Sequence, residues 1–372
     1  MVVTTASEAD AVAWDAFVHG QRGATGYHEW HWRRVFERAF GHQPVYLIAR
    51  RHDRVGRRRN RIVGVLPLVE IKSLLFGRTL TSLPFLNYGG VVSEDAGADQ
   101  DLIDAAAAIA RQRRCRHVEL RHTARRFPDL PCKTHKVTMR LRLERDIWDR
   151  LDRKVRNQVR KAQRCDLTTD NGGAELLGDF YAVFARNMRD LGTPVYSRRF
   201  FQEVLDAFPG RTRLHVVRLQ AGSPTRQPRW GAKAGPATRQ PRWGAEGVPV
   251  AAGLTYRTRS TVEVPWASSI RDFNVLCPSH LLYWGIIERA LEEGCDVLDF
   301  GRSTPGEGTY QFKAQWGAEA VPLHWEYQLM SDGELPDTSP KNPKFHLAIE
   351  LWKRLPLPVA SVLGPRIVRA IP

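Results

Sequence analysis

The chain has 372 residues, 42% of them hydrophobic, 26% charged and 9% aromatic, a composition that excludes a disordered or fibrous protein. Lys and Arg number 56 against 40 Asp and Glu, a formal net charge of +16, which points to a polyanionic partner: nucleic acid, a phosphorylated substrate or an anionic lipid surface. A chain of this length is expected to form two packed domains.

In chain order, the aromatic spacing of Trp30, Trp32, Val35, Phe36 and Phe40 predicts a helix over 29–40. Strands are expected at 45–49 and 62–70, joined by an arginine-rich loop at 50–61, with a third near 79–83. A turn at Asn87-Tyr88-Gly89-Gly90 reads equally as a structural turn or a ligand-facing bulge; an alanine-rich helix over 99–113 and strands at 117–121 and 137–143 follow. The second half begins with helices over 147–163, 176–190 and 198–207. Strands at 214–219, 248–256 and 261–267, a helix over 278–293 and strands at 297–300 and 323–329 complete it. Apart from the leading helices this repeats the first half's order, so the expectation is an α+β chain built from a duplicated unit with mostly antiparallel sheets flanked by helices. The boundaries expected are 1–145, 146–332 with an insertion at 221–247, and a C-terminal tail over 333–372.

Inside that insertion the octapeptide TRQPRWGA of 225–232 returns at 238–245. Two Pro/Gly/Arg copies are too few for a solenoid, and the segment reads as a surface insertion in a strand-to-strand hairpin. Five cysteines, at 115, 132, 165, 277 and 295, form no CxxC pair and suit reduced thiols. No metal site is expected, since His28-Glu29-Trp30-His31 lacks the spacing that puts two histidines on one ion. With no secretory signal at the start and no apolar run near the ~18 residues of a membrane span, a cytoplasmic location is expected. In the tail, Phe345, Ile349, Leu351 and Trp352 with Lys353 and Arg354 form an amphipathic stripe that suits docking on the protein, with peripheral contact to an anionic membrane as the alternative.

Two stretches carry the densest chemistry. On the helix after residue 150, Arg153, Arg156, Arg160 and Arg164 line one face at three-and-four spacing with Asn157 beside them, a stripe able to hold phosphates or merely a solvated face. After the strand at 297–300 comes DFGRSTPGEGTYQFKAQWG (299–317). Its glycines allow close approach of a ligand, Arg302 and Lys313 supply cations, and Ser303, Tyr310 and Gln311 supply directional hydrogen bonds. A structural turn would not need those polar groups, so the stretch reads as a site, with Asp299 as a nearby acid.

These residues, together with LDRKVRNQVRKA (151–162), WASS (266–269), residues 278–284, WKRLPLP (352–358) and LGP (363–365), resemble the FemAB-like branch of the GNAT superfamily. The likeness covers most of the chain and looks closest to the FemAB-related proteins associated with exosortase/PEP-CTERM and exopolysaccharide loci. It implies two tandem GNAT-like units of the acyl-CoA N-acyltransferase-like fold and transfer of an acyl or aminoacyl group to an amine of a cell-envelope or exopolysaccharide-related acceptor. By motif match Lys313 is the family's site lysine, with Asp299 the second catalytic candidate. The substrate-binding set expected is Arg302, Ser303, Tyr310, Gln311, Trp266, Tyr88, Arg153, Arg156, Asn157 and Arg160. No tightly bound cofactor is implied; the donor is aminoacyl-tRNA, which would make tRNA a partner, or acyl-CoA, and donor or acceptor bears phosphate. A GNAT acetyltransferase cradles coenzyme A with a Gly-rich loop at a helix start, whereas residues 269–277 here contain no glycine, which disfavours acetyl-CoA. The alternatives are a CoA-dependent N-acyltransferase and a non-catalytic polyanion-binding module on the same fold.

Overall fold

The structure is a computed structural model that describes residues 1–51, 61–220, 247–331, 335 and 343–371. Its strands are β1 (Val2–Thr5), β2 (Gln43–Arg51), β3 (Arg61–Ser73), β4 (Gly77–Ser82), β5 (Val92–Ser93), β6 (His117–His122), β7 (Cys132–Lys133) and β8 (Val137–Arg142). They continue with β9 (Leu167–Gly172), β10 (Thr212–Leu219), β11 (Val248–Thr258), β12 (Thr261–Ser269), β13 (Val297–Ser303), β14 (Glu319–Pro322) and β15 (His324–Leu329). One sheet runs β1-β2-β3-β4-β6-β15-β7, with β5 on β3; the other runs β14-β8-β13-β12-β11-β10-β9.

The helices are α1 (Ala11–Gly20), α2 (Trp32–Phe40), α3 (Ala96–Gln112), α4 (Ile147–Arg150), α5 (Arg153–Gln163), α6 (Leu177–Asp190), α7 (Arg198–Ala207), α8 (Pro278–Glu292), α9 (Gly308–Ala314), α10 (Pro343–Lys353) and α11 (Leu357–Val368). The helix expected over 147–163 is broken because Leu151 turns inward in an extended conformation and Asp152 caps α5, its carboxylate accepting from the Lys154 N–H at 2.6 Å.

Each sheet contains one parallel pair joined through a helix. β4 and β6 pair through α3, and β12 and β13 through α8; every other pairing is antiparallel. Sheet membership crosses the boundary placed at residue 145. β8 lies in the second sheet, on β13, while β15 returns to the first sheet, on β6. Each unit thus receives a strand from the other, and the two crossings lie side by side, with the Leu323 N–H donating to the Lys136 carbonyl at 2.9 Å.

One hydrophobic core runs continuously from Trp14, Tyr27 and Trp32 into Phe200, Phe208 and Tyr256, so both sheets share it; a second fills the space between the first sheet and α3. Polar links reinforce the seam: Arg211 pairs with the buried Glu29, and the Tyr256 hydroxyl donates to the Gly26 carbonyl at 3.1 Å. All five cysteines are free thiols. Among the described residues no helix is long and apolar enough to cross a membrane. The tandem octapeptides and most of the arginine-rich 50–61 loop lie outside the described residues.

Candidate active site

The site grows from the parting of β12 and β13. Their parallel register runs Thr261 to Val297, Val262 to Leu298 and Glu263 to Asp299, then stops, and the two strands go on separately. On the other side of β13 the register with β8 slips between Asp299 and Arg302. Gly301 occupies that bulge at φ +75°, and a Cβ there would come within 3.0 Å of the Val264 carbonyl oxygen. Glycine is therefore required both for the backbone conformation and for the close approach.

At the floor of the gap two carboxyls meet. Asp299 is fully buried. Its Oδ1 accepts from the Thr138 hydroxyl at 2.5 Å and the Gly301 N–H at 2.8 Å; its Oδ2 accepts from the Tyr88 hydroxyl and Arg140 Nε, both at 3.1 Å. The Tyr88 hydroxyl lies equally on Glu263, at 2.8 Å from Oε2. Burial first, and the charge on Asp299 second, push the Glu263 carboxyl up to about 8. Two like charges this close cannot both ionise cheaply, and the one Tyr88 proton can serve only one of the two carboxyls at a time.

Lys313 leaves α9 inward and is buried. Its Nζ donates to the carbonyls of Gly301 and Arg302, each at 3.0 Å. An ammonium has three donors, so one remains for a further acceptor. Desolvation chiefly lowers its pKa to about 8, opposed by Asp299 and assisted by Arg302. The ammonium still predominates at neutral pH.

Arg302 extends into the seam between the sheets. Its guanidinium lies 5.2 Å from the Trp325 ring centroid, and Arg121 stands 4.4 Å from the same ring. The Arg302 guanidinium has no ion-pair or hydrogen-bond partner among the described residues, and burial with the neighbouring Arg121 lowers its pKa to about 10. Ser303 is buried with its hydroxyl unpartnered.

Of the other expected residues, Gln311 is exposed and lines a groove of about 780 Å³ with Phe312 and Gln315, faced by Arg150, Asp152 and Lys154. Tyr310 is half-buried against the core. On α5, Arg153, Asn157 and Arg160 are exposed and Arg156 is half-buried, because Val155, Val159 and Ala162 take the inward positions. Arg160 stands 5.5 Å from the Trp148 ring centroid, and no α5 cation forms an ion pair among the described residues. The start of α5 and the outer side of α9, the helix that carries Lys313, thus border one groove.

Three of the expected residues lie inside the protein. Trp266 is a core residue, its ring edge-on to Phe200 at 5.1 Å and Phe201 at 5.5 Å. Asp299 lies among groups of the scaffold, Thr138, Gly301, Arg140 and Tyr88. Tyr88 does not face outward as a binding bulge but plugs the floor of the second unit's gap from the first unit. Glu263, Thr138 and Arg140 were missed. An acid between two valines in the apolar strand TVEVP was the available signal for Glu263; Arg140 has none, because its partner lies 159 residues away.

With this geometry in view, the chain matches the family model described as Acetyltransferase (GNAT) domain over residues 150–224 and 237–314. No curated protein sequence matches it. Among solved structures it is similar to FemX at 15% identity and TM-score 0.63, covering 94% of this chain and 100% of that one. It is also similar to a tandem GNAT protein from the clavulanic acid biosynthesis pathway at 10% identity and TM-score 0.52, covering 90% and 99%. A third likeness is the C-terminal domain of a putative lysylphosphatidylglycerol synthetase from Agrobacterium fabrum, at 10% identity and TM-score 0.51, covering 97% and 96%. The chain has a FemAB-like GNAT fold made of two tandem GNAT-like units that exchange a strand.

Proposed function

We propose that this protein transfers an acyl or aminoacyl group to an amine, with the reaction placed where β12 and β13 part beside Lys313. The observation that carries the reading is the uncommitted N–H of a buried ammonium, fixed by the Gly301 and Arg302 carbonyls beside a glycine bulge. In such a transfer the amine attacks the acyl carbonyl and negative charge builds on the carbonyl oxygen; the adduct then collapses, the C–S bond of the thioester or the C–O bond of the ester breaks, and the departing coenzyme A thiol or tRNA hydroxyl carries away the proton that the amine loses. A preorganised cation in a dry site stabilises that charge without reorganising. Asp299 and Tyr88 act on this centre indirectly, by holding the bulge and the charge balance around Lys313. The α5 cations, which form no ion pair among the described residues, suit the phosphates of the donor, acyl-CoA or aminoacyl-tRNA. The resemblance of the 299–317 stretch to the exosortase-associated FemAB-related proteins favours a cell-envelope or exopolysaccharide precursor as acceptor, in a cytoplasmic reaction.

The test offers the purified chain acyl-CoA and aminoacyl-tRNA with amine acceptors and follows transfer by mass spectrometry. Lys313→Met keeps the apolar stem and removes the charge. Loss of one preorganised donor typically costs about 10²- to 10³-fold in rate, so the variant should be folded and slowed by that factor. Near-normal transfer by folded Lys313→Met would remove the lysine from the mechanism. Binding of both donors with no transfer to any amine would favour the polyanion-binding module.

A further inference from the structure

The C-terminal helices dock on the body with one face and leave another apolar face uncovered. On α11, Ala360, Gly364 and Val368 are buried; a Cβ on Gly364 would meet the Val195 backbone at 2.8 Å, so this face lies flush against the protein. On α10, Trp352 is buried and Ile349 reaches Gly192. Both helices pack against α6. Away from these contacts, Leu347 and Leu351 on α10 and Val362 and Ile367 on α11 stay in solvent, Leu347 at 71% and Val362 at 59% exposure. The β3–β4 hairpin joins them. Its tip residues Leu74 and Leu75 are exposed, and Phe76 lies 6.2 Å, ring to ring, from Phe345 at the start of α10.

Cations accompany the apolar stripe. Arg354 follows Leu347 and Leu351 at helical spacing, and Arg366 sits between Leu363 and Ile367 on the exposed side of α11. At the base of the hairpin the Arg116 N–H donates to the Arg78 carbonyl, and the Arg116 side chain packs against Gly77. None of these four arginines forms an ion pair among the described residues. α11 contains no acid, and the one acid of α10, Glu350, is held by Lys353 at 2.7 Å.

We propose that this face, formed by the Leu74–Leu75 hairpin tip and the outer sides of α10 and α11, docks the protein on an anionic lipid surface. Charge decides against a second copy of the chain as occupant. A symmetric dimer through this patch would bring the same four arginines, Arg78, Arg116, Arg354 and Arg366, together from both copies. An anionic bilayer instead accepts the leucines into its headgroup boundary and meets the arginines with phosphates. This inference stands apart from the transferase reading.

The test is flotation of the full chain with vesicles of phosphatidylcholine alone and of a phosphatidylcholine–phosphatidylglycerol mixture. Two exposed-site variants are compared with the parent, Leu74→Ser with Leu75→Ser and Val362→Ser with Ile367→Ser. The parent should float with the anionic vesicles and not the neutral ones, with affinity falling as salt rises, and each double variant should bind about tenfold more weakly at an unchanged melting temperature. Vesicle binding that both double variants retain would move the contact elsewhere, α5 being the next basic surface. No flotation of a monomeric parent would overturn the proposal. Self-association abolished by the same substitutions, read by analytical ultracentrifugation, would replace the lipid with a second copy.

Discussion

The two parallel pairs are the same supersecondary unit put to different use. In the first unit β4 and β6 pair at Leu80 with Val118 and Thr81 with Glu119, then stop, as β12 and β13 do. There the gap is sealed from within: the Ser82 hydroxyl accepts from the Arg121 N–H at 2.8 Å, and the Gly89 and Gly90 N–H groups donate to the Arg121 carbonyl at 3.0 and 2.9 Å. A Cβ on Gly90 would collide with the His122 ring at 2.1 Å, so nothing else fits. The acid facing the gap, Glu119, is neutralised by Arg121 at 2.6 Å. In the second unit the corresponding place holds a glycine bulge, a buried lysine with a spare donor and an arginine with no ion pair among the described residues. The duplicated unit thus carries a closed ion pair in one copy and, among the described residues, a lysine with a spare donor and an arginine without an ion pair in the other.

This contrast predicts that damage to the first gap shows in stability and damage to the second in chemistry. Arg121 and Glu119 are both nearly fully buried, and breaking such a pair from one side costs about 3–5 kcal/mol. Arg121→Met should therefore lower the melting temperature by about 10 °C, taking about 2–4 °C per kcal/mol. Lys313→Met should move it far less while abolishing most transfer. Equal destabilisation by the two substitutions would erase the distinction.

The carboxyl pair gives a pH signature peculiar to the second gap. Glu263 titrates near 8 in the folded chain against an ordinary 4.5, so the folded state holds that proton more tightly than the unfolded one. The stability it contributes is complete below 4.5 and is lost as pH rises through about 8. Glu263→Gln cannot ionise, so its melting temperature should exceed the parent's by a margin that widens between those two values. Parallel melting curves across that window would show that Glu263 is charged throughout. Tyr88→Phe removes the hydroxyl shared by Glu263 and Asp299 and should cost about 1–3 kcal/mol, read by chemical denaturation.

Beyond the gaps, the exposed basic face of α5 predicts a smaller, salt-dependent effect. Neutralising Arg153, Arg156 and Arg160 to Gln should leave the melting temperature unchanged. The slope of log affinity for a polyanion against log salt should become shallower by about 0.7–0.9 for each phosphate that the variant no longer neutralises. An unaltered slope would make the stripe a solvated face.

Much of this fold was legible in the sequence where one element's own periodicity decides it. α7 runs over the expected 198–207, and β3, β11 and α8 lie where alternation and length put them. Partner choice was not legible. The alternating pattern of Val137–Arg142 says that one face is buried but not which sheet buries it, so the exchange of β8 and β15 escaped. α9 was hidden because Gly306 and Gly308 mark a loop by local chemistry, while tertiary packing on β13 and β8 winds the next residues into a helix. Trp266 misled for a related reason: an aromatic beside polar serines looks the same whether its ring meets a ligand or, as here, Phe200 and Phe201.

The smallest effect predicted concerns the tandem octapeptides between β10 and β11. Leu219 and Val248 are paired neighbours at the end of that hairpin, and the Gln220 N–H is anchored on the Asp166 carbonyl at 3.0 Å. Gly247 holds φ +89°, where a Cβ would clash with the Leu219 carbonyl oxygen at 2.4 Å, so it must be kept. The strand ends already sit at hairpin distance, and removing residues 223–246 leaves 220–222 and Gly247 to make the turn. Loop-closure entropy changes slowly with length, about 0.6 kcal/mol for each doubling, so shortening this connection should shift the melting temperature by only a few degrees, upward. Transfer should be unchanged as well, because β10 and β11 lie on the far side of β12 from the Lys313 gap. A marked fall in either quantity would show that the insertion packs on the second unit or takes part in its chemistry, and would make the difference between the two units larger than the sheets alone reveal.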